Sequence, residues 1–266
     1  MRITVNGAEV YAYTGVRPMH AAQPTLVFVH GAANDHSAWA LQSRYFAHHG
    51  WNVLAVDLPG HGRSGGEAPR SVEAIADWIA ALLDAASIPR AALVGHSLGS
   101  LAALECAARH PERVTHAALI GPAVPMAVSD MLLDAARNDD HVAFEMINGW
   151  SYSVRKQRGG NQVPGMWMTG NAMRLMERTP PGVLHRALVA CNTYANGIAA
   201  AAATRCPVLL ILGTRDLMAP LRSTNELIAT LPRARVVKLP GAGHAMMAEE
   251  PDAVLDALRA FLPPGP

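Results

Sequence analysis

The sequence predicts an α/β domain built on eight mostly parallel β-strands, with flanking helices and a helical cap. Two observations predict this fold class. Short apolar runs recur along the chain, and from the third run onward segments with helical periodicity separate them, as happens where helices connect parallel strands. Half of the 266 residues are apolar or aromatic, which is enough for a large core. The expected strands lie near residues 2–5, 10–13, 25–29, 52–56, 91–94, 115–120, 207–212 and 234–239.

The third and fourth strands each end in a distinctive string. His30-Gly31-Ala32-Ala33 follows the strand near 25–29, and the string Asp-Leu-Pro-Gly-His-Gly-Arg-Ser, residues 57–64, follows the strand near 52–56. Both strings contain glycine, which permits tight loops after a strand. The sequence therefore predicts two ordered turns at the ends of these strands.

The fifth strand leads into Gly-His-Ser-Leu-Gly, residues 95–99, and a helix-forming stretch follows. A serine between a strand and a helix in this string occupies a strained turn, which lifts the Ser97 hydroxyl clear of the sheet. Small residues are needed at Gly95 and Gly99 because a side chain would crowd that turn. A serine hydroxyl is a weak nucleophile near neutral pH, so catalysis also needs a base and an orienting acid.

The interval between the sixth and seventh strands is too long for one crossover helix. We therefore expect a mostly helical cap over residues 122–206, inserted into a core of residues 1–121 and 207–266. Seven of the twelve methionines lie in this cap. Methionine adapts to irregular apolar pockets, so we expect some of these side chains to line a pocket and others to pack the cap's own helices.

The acid and the base are predicted after the last two strands. Asp216 follows the buried strand near 207–212, in Thr-Arg-Asp. His244 follows the strand near 234–239, in Pro-Gly-Ala-Gly-His, and precedes a closing helix with acidic residues in its first turn. The chain order is therefore serine, acid, histidine.

These motifs together resemble the alpha/beta-hydrolase superfamily, and the resemblance covers nearly the whole chain. It rests on the serine turn at Ser97, the loops of Asp216 and His244, the His30-Gly31 string and the 57–64 turn, all placed after apolar strands in the order of that family. One such string alone would be weak, because Gly-x-Ser-x-Gly occurs by chance in many chains.

The resemblance implies a division of roles. His244 takes the proton of Ser97 and later returns it to the leaving group, while Asp216 orients the imidazole. The oxyanion is expected to accept hydrogen bonds from the backbone N–H groups of Ala32 and Leu98. Asp57 also follows a strand, but the resemblance assigns it a structural role in its turn.

The expected reaction is cleavage of a small carboxylic ester, lactone or thioester through an acyl-enzyme, as in a carboxylesterase. Serine at position 97 excludes the dehalogenases and epoxide hydrolases of the superfamily, which need an aspartate there. A carbon–carbon bond hydrolase remains open, although a tryptophan is expected after its histidine and Ala245 stands here. A cofactor-free perhydrolase, an acyltransferase, and a ligand receptor that retains the hydrolase fold are further alternatives.

The substrate pocket is expected between the cap and the serine turn. A basic stretch within the cap, residues 155–161, is expected to form a solvent-exposed loop. The candidates for the pocket come from the serine turn, the cap and the two loops of the acid and base: His96, Met126, Trp150, Trp167, Met218 and Ala245.

Composition limits the partners. The net charge is +1, from 22 basic and 21 acidic residues, so there is no broad basic field to attract nucleic acid or an anionic membrane. We expect a small-molecule acyl substrate and a monomer or homodimer. The amino terminus has no apolar signal core and no apolar run is long enough to span a bilayer, so a cytoplasmic protein is expected.

No metal and no cofactor are expected. The stretch Asn34-Asp35-His36 lacks the alternating His-x-His-x-Asp-His spacing of binuclear metallohydrolases. The three cysteines lie far apart without Cys-x-x-Cys spacing, which argues against a disulfide framework or a zinc site. Their expected role is that of small buried residues: Cys106, Cys191 and Cys206.

Overall fold

A computed structural model describes residues 1–160, 162–231 and 233–263. Within these residues one sheet is formed by β1 (Arg2–Val5), β2 (Ala8–Tyr13), β3 (Thr25–Val29), β4 (Asn52–Val56), β5 (Ala91–His96), β6 (Val114–Ile120), β7 (Val208–Gly213) and β8 (Arg235–Leu239). Their spatial order is β1-β2-β4-β3-β5-β6-β7-β8. β2 pairs antiparallel with β1 and β4, and the remaining pairs are parallel. The predicted fold class, an eight-stranded and mostly parallel sheet, is confirmed.

Helices connect the parallel strands, as the periodicity predicts. In chain order they are α1 (Ala40–Ala47), α2 (Val72–Ala85), α3 (Leu98–Arg109), α4 (Asp130–Arg137), α5 (Val142–Ser151), α6 (Val154–Gln157), α7 (Met168–Met176), α8 (Val183–Thr193), α9 (Gly197–Ala203), α10 (Asn225–Thr230), α11 (Met246–Glu249) and α12 (Pro251–Phe261). Short 3-10 turns occupy His36–Trp39 and Leu221–Thr224. None of the helices in the described part of the chain is both long and apolar enough to cross a bilayer.

The local sequence explains where helices begin. Ser71 precedes α2, and its side-chain oxygen accepts a hydrogen bond from the N–H of Ala74, a partner that the first turn otherwise lacks. Glu73 lies in that first turn, where the helix dipole favours negative charge. Ser129 caps α4 in the same way by accepting from the N–H of Leu132. The polar residues that precede these helices therefore fix their first turns.

The core lies in two layers, one on each face of the sheet. β3 is buried along its whole length, and its side chains alternate between the layers. Val27 and Val29 join the layer that includes α2 and α3, whereas Leu26 and Phe28 join the layer that includes α1 and α12. Burial on both faces explains why the central strands are continuously apolar rather than alternating.

Helices α4 to α9 occupy the stretch 122–206 that the sequence assigns to a cap. A small apolar cluster joins α4, α5, α7 and α8. α9 differs, because it packs on α3 and its Ala200 and Ala201 belong to the main core. The boundary of the cap at residue 206 therefore stays a prediction.

The prediction for the basic stretch at residues 155–161 was wrong in part. Its first residues form α6, and the Lys156 side chain is buried against the core rather than exposed. Lys156 finds partners there, since its ammonium group donates to the carbonyl oxygen of Glu249 at 2.9 Å and lies 3.0 Å from Oε1 of Glu250. Asn161, the last residue of the predicted loop, lies outside the described residues.

Candidate active site

Ser97 stands at the turn between β5 and α3. Its φ is positive, at 53°, and its ψ is −120°, a combination that is uncommon and strained for a residue with a side chain. The turn is held by main-chain bonds: the N–H of Ser97 donates to the carbonyl oxygen of Ile120 at 2.9 Å, and its own carbonyl oxygen accepts from the N–H of Ser100 at 2.8 Å. These hydrogen bonds hold Ser97 in its strained conformation, as in a nucleophile elbow.

Two glycines make this turn sterically feasible. A Cβ at Gly95 would overlap the carbonyl oxygen of Gly99 and lie 2.7 Å from the nitrogen of Ser100. A Cβ at Gly99 would overlap the carbonyl oxygen of Val29 and lie 2.7 Å from that of His30. These neighbours are backbone atoms, which cannot move aside as a flexible side chain could. Glycine is therefore required at both positions.

Asp216 and His244 form a buried pair at the ends of β7 and β8. Nδ1 of His244 lies 2.8 Å from Oδ2 of Asp216, while Oδ1 accepts the N–H groups of Met218 at 2.9 Å and Ala219 at 2.8 Å. Burial alone would raise the pKa of Asp216, but the charge and hydrogen bond of His244 and the two amides outweigh it and lower that pKa. Asp216 therefore stays ionised at neutral pH and accepts the Nδ1 proton.

This pairing leaves Nε2 of His244 as the free acceptor. The atom is buried and has no hydrogen-bond partner among the described residues. The ring packs on Gly121, where a Cβ would lie 3.1 Å from both Cε1 and Nδ1. Gly121 has φ of 58°, which also favours glycine there. The imidazole is thus fixed in orientation with one basic nitrogen unused.

The two predicted oxyanion donors belong to segments next to Ser97. A Cβ at Gly31 would lie 3.0 Å from Cβ of Ser97, so the turn that carries Ala32 lies directly on the serine. Leu98 is the first residue of α3, and its N–H consequently has no acceptor within the helix. The positive end of the helix dipole adds to the attraction for an anion at that point.

Three further histidines are buried near these loops, and burial lowers the pKa of each. The pKa of His96 falls to about 3 and that of His61 to about 4. The pKa of His30 is also lowered. Nε2 of His30 accepts the N–H of Leu58 at 3.1 Å, and Nε2 of His96 lies 3.0 Å from the carbonyl oxygen of His244. All three rings are therefore neutral at pH 7 and act as uncharged hydrogen-bonding groups.

A cavity of about 1010 Å³ opens above Ser97, between the core loops and the cap helices. Both Ser97 and His244 line it, together with Ala32. Its walls are mainly apolar, with methionines from the cap and from the loops that follow the strands. The structure places five of the six predicted pocket residues on these walls: His96, Met126, Trp150, Met218 and Ala245.

Comparison with known proteins identifies the family of the chain. The family model described as alpha/beta hydrolase fold matches residues 24–251. The chain belongs to the alpha/beta hydrolase fold family. The resemblance inferred from the sequence motifs is thereby confirmed.

Relatives of this alpha/beta hydrolase carry several names. A putative carbamate hydrolase RutD of Pseudomonas syringae pv. syringae (strain B728a) is 29% identical over 253 residues, which is 91% of this chain and 95% of that protein. The crystal structure of the enol-lactonase from Burkholderia xenovorans LB400 matches with a TM-score of 0.87 at 25% identity, over 98% of this chain and 99% of that one. A thermophilic esterase from Thermogutta terrifontis shares the fold, with a TM-score of 0.82 at 21% identity over 98% and 97% of the chains. The names of these three proteins differ in the activity or substrate that they give.

The sixth predicted pocket residue of this alpha/beta hydrolase is not on the cavity wall. Trp167 is 72% exposed and does not line the cavity. Its ring instead covers Gly170 of α7, where a Cβ would lie 2.6 Å from Cε2 of the indole. Glycine at that helix position leaves a shallow surface that the ring fills from outside. The prediction for Trp167 was therefore wrong.

The structure adds wall residues that no motif in the sequence indicates. They share an apolar side chain and a place on a cap helix or on α11. Helical spacing was the available indication for them, but spacing does not distinguish a wall residue from a residue that packs between helices. The added residues include Leu132, Ile147, Met168, Leu188 and Met247.

Within the described part of the chain, one cluster of side chains offers three ligand atoms of the kind that bind metal ions. Single ligand atoms of Asp35, His36 and Asp57 lie within 4.8 Å of one another. These atoms are already used: Nδ1 of His36 lies 2.7 Å from Oδ1 of Asp57, whose Oδ2 accepts the N–H of Arg63 at 2.8 Å. Oδ1 of Asp35 accepts the N–H of Ser37 at 2.7 Å. The contacts are those of a cluster that fixes a turn.

Proposed function

We propose that this protein is a serine hydrolase that cleaves a carboxylic ester or lactone with a sizeable apolar group, through an acyl-enzyme on Ser97. One observation carries the proposal. The strained Ser97 turn and the oriented His244–Asp216 pair, with Nε2 unused, lie on the walls of the same apolar cavity. Nucleophilic catalysis by serine requires an accessible serine, a base and an acid that orients the base, and all three groups meet at this cavity.

Acylation uses the groups in order. Oγ of Ser97 attacks the carbonyl carbon, and its proton passes to Nε2 of His244. The new oxyanion accepts hydrogen bonds from the N–H groups of Ala32 and Leu98. When the tetrahedral intermediate collapses, the carbon–oxygen bond to the leaving alcohol breaks and His244 gives that alcohol its proton. Asp216 stabilises the imidazolium in between.

Deacylation repeats the sequence with water as the nucleophile. His244 takes a proton from water as its oxygen attacks the acyl carbon, and the proton then returns to Oγ of Ser97. The products are a carboxylic acid and an alcohol, or a hydroxy acid if the substrate is a lactone. No redox step or metal is needed for this balance.

The cavity indicates the kind of group that the substrate carries. Its volume of about 1010 Å³ lies at the upper end for small-molecule sites, so it suits a larger group than the small ester expected from the sequence. The arginines on its walls, Arg174 and Arg178, have largely exposed side chains, so their charges are in contact with solvent. An apolar acyl or alcohol group therefore fits the interior better than a small anion does.

The experiment is hydrolysis of p-nitrophenyl esters of rising acyl length by the parent protein and by Ser97→Ala and His244→Ala. We expect measurable turnover that increases with acyl length until the cavity is filled. Either substitution should lower kcat/KM by about 10³-fold or more, because the members of a triad act as one unit. His20→Ala changes an exposed histidine away from the cavity and serves as the matched control.

Parent activity that survives Ser97→Ala unchanged would contradict the proposal. An inert parent would redirect the test to carbon–carbon bond substrates, to peroxide as the second nucleophile, to acyl acceptors other than water, and to tight ligand binding without turnover. A lactone series and an acyl thioester assayed in parallel identify the leaving group.

A further inference from the structure

Glu249 is a buried acidic residue on α11, the short helix that follows His244. Its carboxylate accepts hydrogen bonds from two different parts of the molecule. From the cap it accepts the N–H of Ser153 at 2.9 Å and the hydroxyl of Ser153 at 2.8 Å. From the loop of His244 it accepts the N–H of Gly243, at 3.2 Å from each oxygen. One side chain therefore joins the cap to the loop that carries the base.

The main chain around His244 is held on both sides of the residue. The N–H before it belongs to Gly243 and is bound by Glu249, while the N–H after it, of Ala245, donates to the carbonyl oxygen of Ser151 at 2.9 Å. The carbonyl of His244 itself is bound by the ring of His96 at 3.0 Å. Two of these contacts connect the loop to the cap. The N–H of Ala245 does so directly through Ser151, and the N–H of Gly243 does so through the carboxylate of Glu249.

Close packing limits movement where the cap segment meets Gly243. A Cβ at Gly243 would lie 2.7 Å from Oε1 of Glu249, 2.8 Å from the carbonyl oxygen of Ser151 and 2.8 Å from the nitrogen of Ser153. The cap segment thus sits directly on the backbone of the histidine loop. A shift of either one must displace the other, because close-packed atoms transmit small movements.

The same cap segment is a wall of the cavity. Trp150, Ser151 and Tyr152 all line it, immediately before Ser153. A substrate group that fills the cavity therefore touches the segment whose next residue is bound to Glu249. A buried carboxyl group needs hydrogen-bond partners, and Glu249 finds them in Ser153 and Gly243.

We propose that Glu249 is a positioning residue that ties the loop of His244 to the cap segment 150–153, so that the seating of the cap sets the position of the base. The inference rests on the proposed function, because it takes His244 as the base. A displacement of about 1 Å in a reacting group can lower a rate by about 10²-fold. Loss of Glu249 should therefore lower kcat more than it raises KM.

The test compares Glu249→Ala and Glu249→Gln with Glu250→Gln. The Glu249→Gln side chain keeps one oxygen for the two N–H groups, and its amide can donate to the Ser153 hydroxyl, so this variant serves as the conservative rescue. Glu250 is the matched control, since it is the adjacent acid and pairs with Lys156 rather than with Gly243. The parent and Ser97→Ala are run alongside.

The first readout is kcat per active serine, counted by stoichiometric release of p-nitrophenol from a p-nitrophenyl alkylphosphonate. For Glu249→Ala we expect kcat per titrated site to fall at least about 10-fold with KM within about 3-fold of the parent. Glu249→Gln should recover most of that loss, and Glu250→Gln should stay within about 2-fold of the parent. A residue that serves only folding would reduce the number of titrated sites without changing kcat per site.

The second readout is amide hydrogen exchange of peptides covering residues 240–248 and 150–158. Glu249→Ala should speed exchange in both peptides together, while peptides of β3 and β5 stay unchanged. If Glu249→Ala does not fold, Ser153→Ala replaces it, with a smaller expected fall of about 3-fold in kcat per site. Exchange does not depend on turnover, so it decides the link even if no substrate is cleaved.

The outcomes separate this inference from the proposed function. A parent that hydrolyses esters through Ser97, with Glu249→Ala equal to it in kcat per site, overturns the inference and leaves the function standing. An equal fall in Glu250→Gln also overturns it. An inert parent overturns the proposed function, and unchanged exchange in the two peptides then overturns the link as well, whereas faster exchange in both supports it.

Discussion

The core around Ser97 and the cap above it hold the site by different means. In the core, backbone atoms approach so closely that glycine is required at positions 95 and 99, and the polar atoms of Asp216 are all used. In the cap, the cavity is bounded largely by methionine and other apolar side chains, and the glycine of α5, Gly149, has no atom within 4 Å of a Cβ. The proposed chemistry thus depends on backbone geometry, and the proposed substrate space depends on adaptable side chains.

The strongest test of this contrast is the same substitution in both regions. Gly99→Ala should destabilise the protein by about 3 kcal/mol or more and abolish ester hydrolysis, because its Cβ overlaps backbone carbonyls of the neighbouring strand end. Gly149→Ala should raise stability by about 0.5–1 kcal/mol with kcat unchanged, because alanine is favoured in a helix. Urea unfolding and ester kinetics measure both effects. If alanine were tolerated equally well at positions 99 and 149, the contrast between the core and the cap would be contradicted.

The second test concerns the acid in the core. Asp216→Asn keeps the shape of the side chain but replaces one acceptor oxygen with a donor, so Nδ1 of His244 loses its partner or takes the wrong tautomer. We expect kcat to fall on the order of 10³- to 10⁴-fold with KM little changed. Asp57→Asn, which alters the turn after β4 and not a residue of the cavity wall, serves as the comparison in the same kinetic assay. A similar loss in both variants would mean that Asp216 acts through folding rather than through His244.

A third test uses the buried histidines of the core. The pKa of His61 is lowered to about 4 by burial, below the value of 6.5 for the unfolded chain. Between these two pKa values His61 is protonated in the unfolded state and unprotonated in the folded state. The free energy of unfolding therefore falls as the pH drops from about 6.5 toward 4. Between pH 7.5 and pH 5 this residue should account for about 2 kcal/mol of lost stability.

His61→Gln should therefore flatten the dependence of the unfolding free energy on pH over that window. His141 in the cap is the control, because it is exposed and its pKa is raised by hydrogen bonds to Glu177 and Glu145. A raised pKa stabilises the folded state at low pH, and this stabilisation is lost as the pH rises. Its sign is therefore opposite to that of the His61 effect, and solvent screens the interaction of this exposed histidine with its partners. Urea midpoints of His141→Gln at pH 5 and 7.5 should follow the parent. A parent-like slope in His61→Gln would contradict the assignment.

The same contrast explains what could be predicted from the sequence. Strand ends and glycine strings fix backbone geometry locally, so the sheet, the serine turn and the placing of Ser97, Asp216 and His244 on neighbouring loops followed from residues close in sequence. The roles of these residues in catalysis remain predictions until the kinetics are measured.

The cap was harder to predict, because which side of a helix faces the cavity depends on how the helices pack on each other. The sequence puts Trp150 and Trp167 in the same class, as large apolar residues of the predicted cap, yet only Trp150 lines the cavity. The charged sequence neighbours of Lys156 predict a surface residue, whereas the groups that bind its buried ammonium lie at residues 249 and 250. Contacts between distant segments carry no local pattern in a single sequence.

The last and smallest effect compares these two tryptophans. Trp150→Ala removes part of the cavity wall, so KM for a long-acyl ester should rise about 10-fold while KM for an acetate ester changes little, since the short acyl group does not reach that wall. Trp167→Ala should leave both KM values within about 2-fold, because the ring lies outside on Gly170 and is 72% exposed. Steady-state kinetics with the two esters decide between them. If Trp167→Ala raised KM for the long ester as much as Trp150→Ala does, the cap would have to close over the substrate with Trp167 turned inward, and its walls would then be set by binding rather than by the packing of its helices.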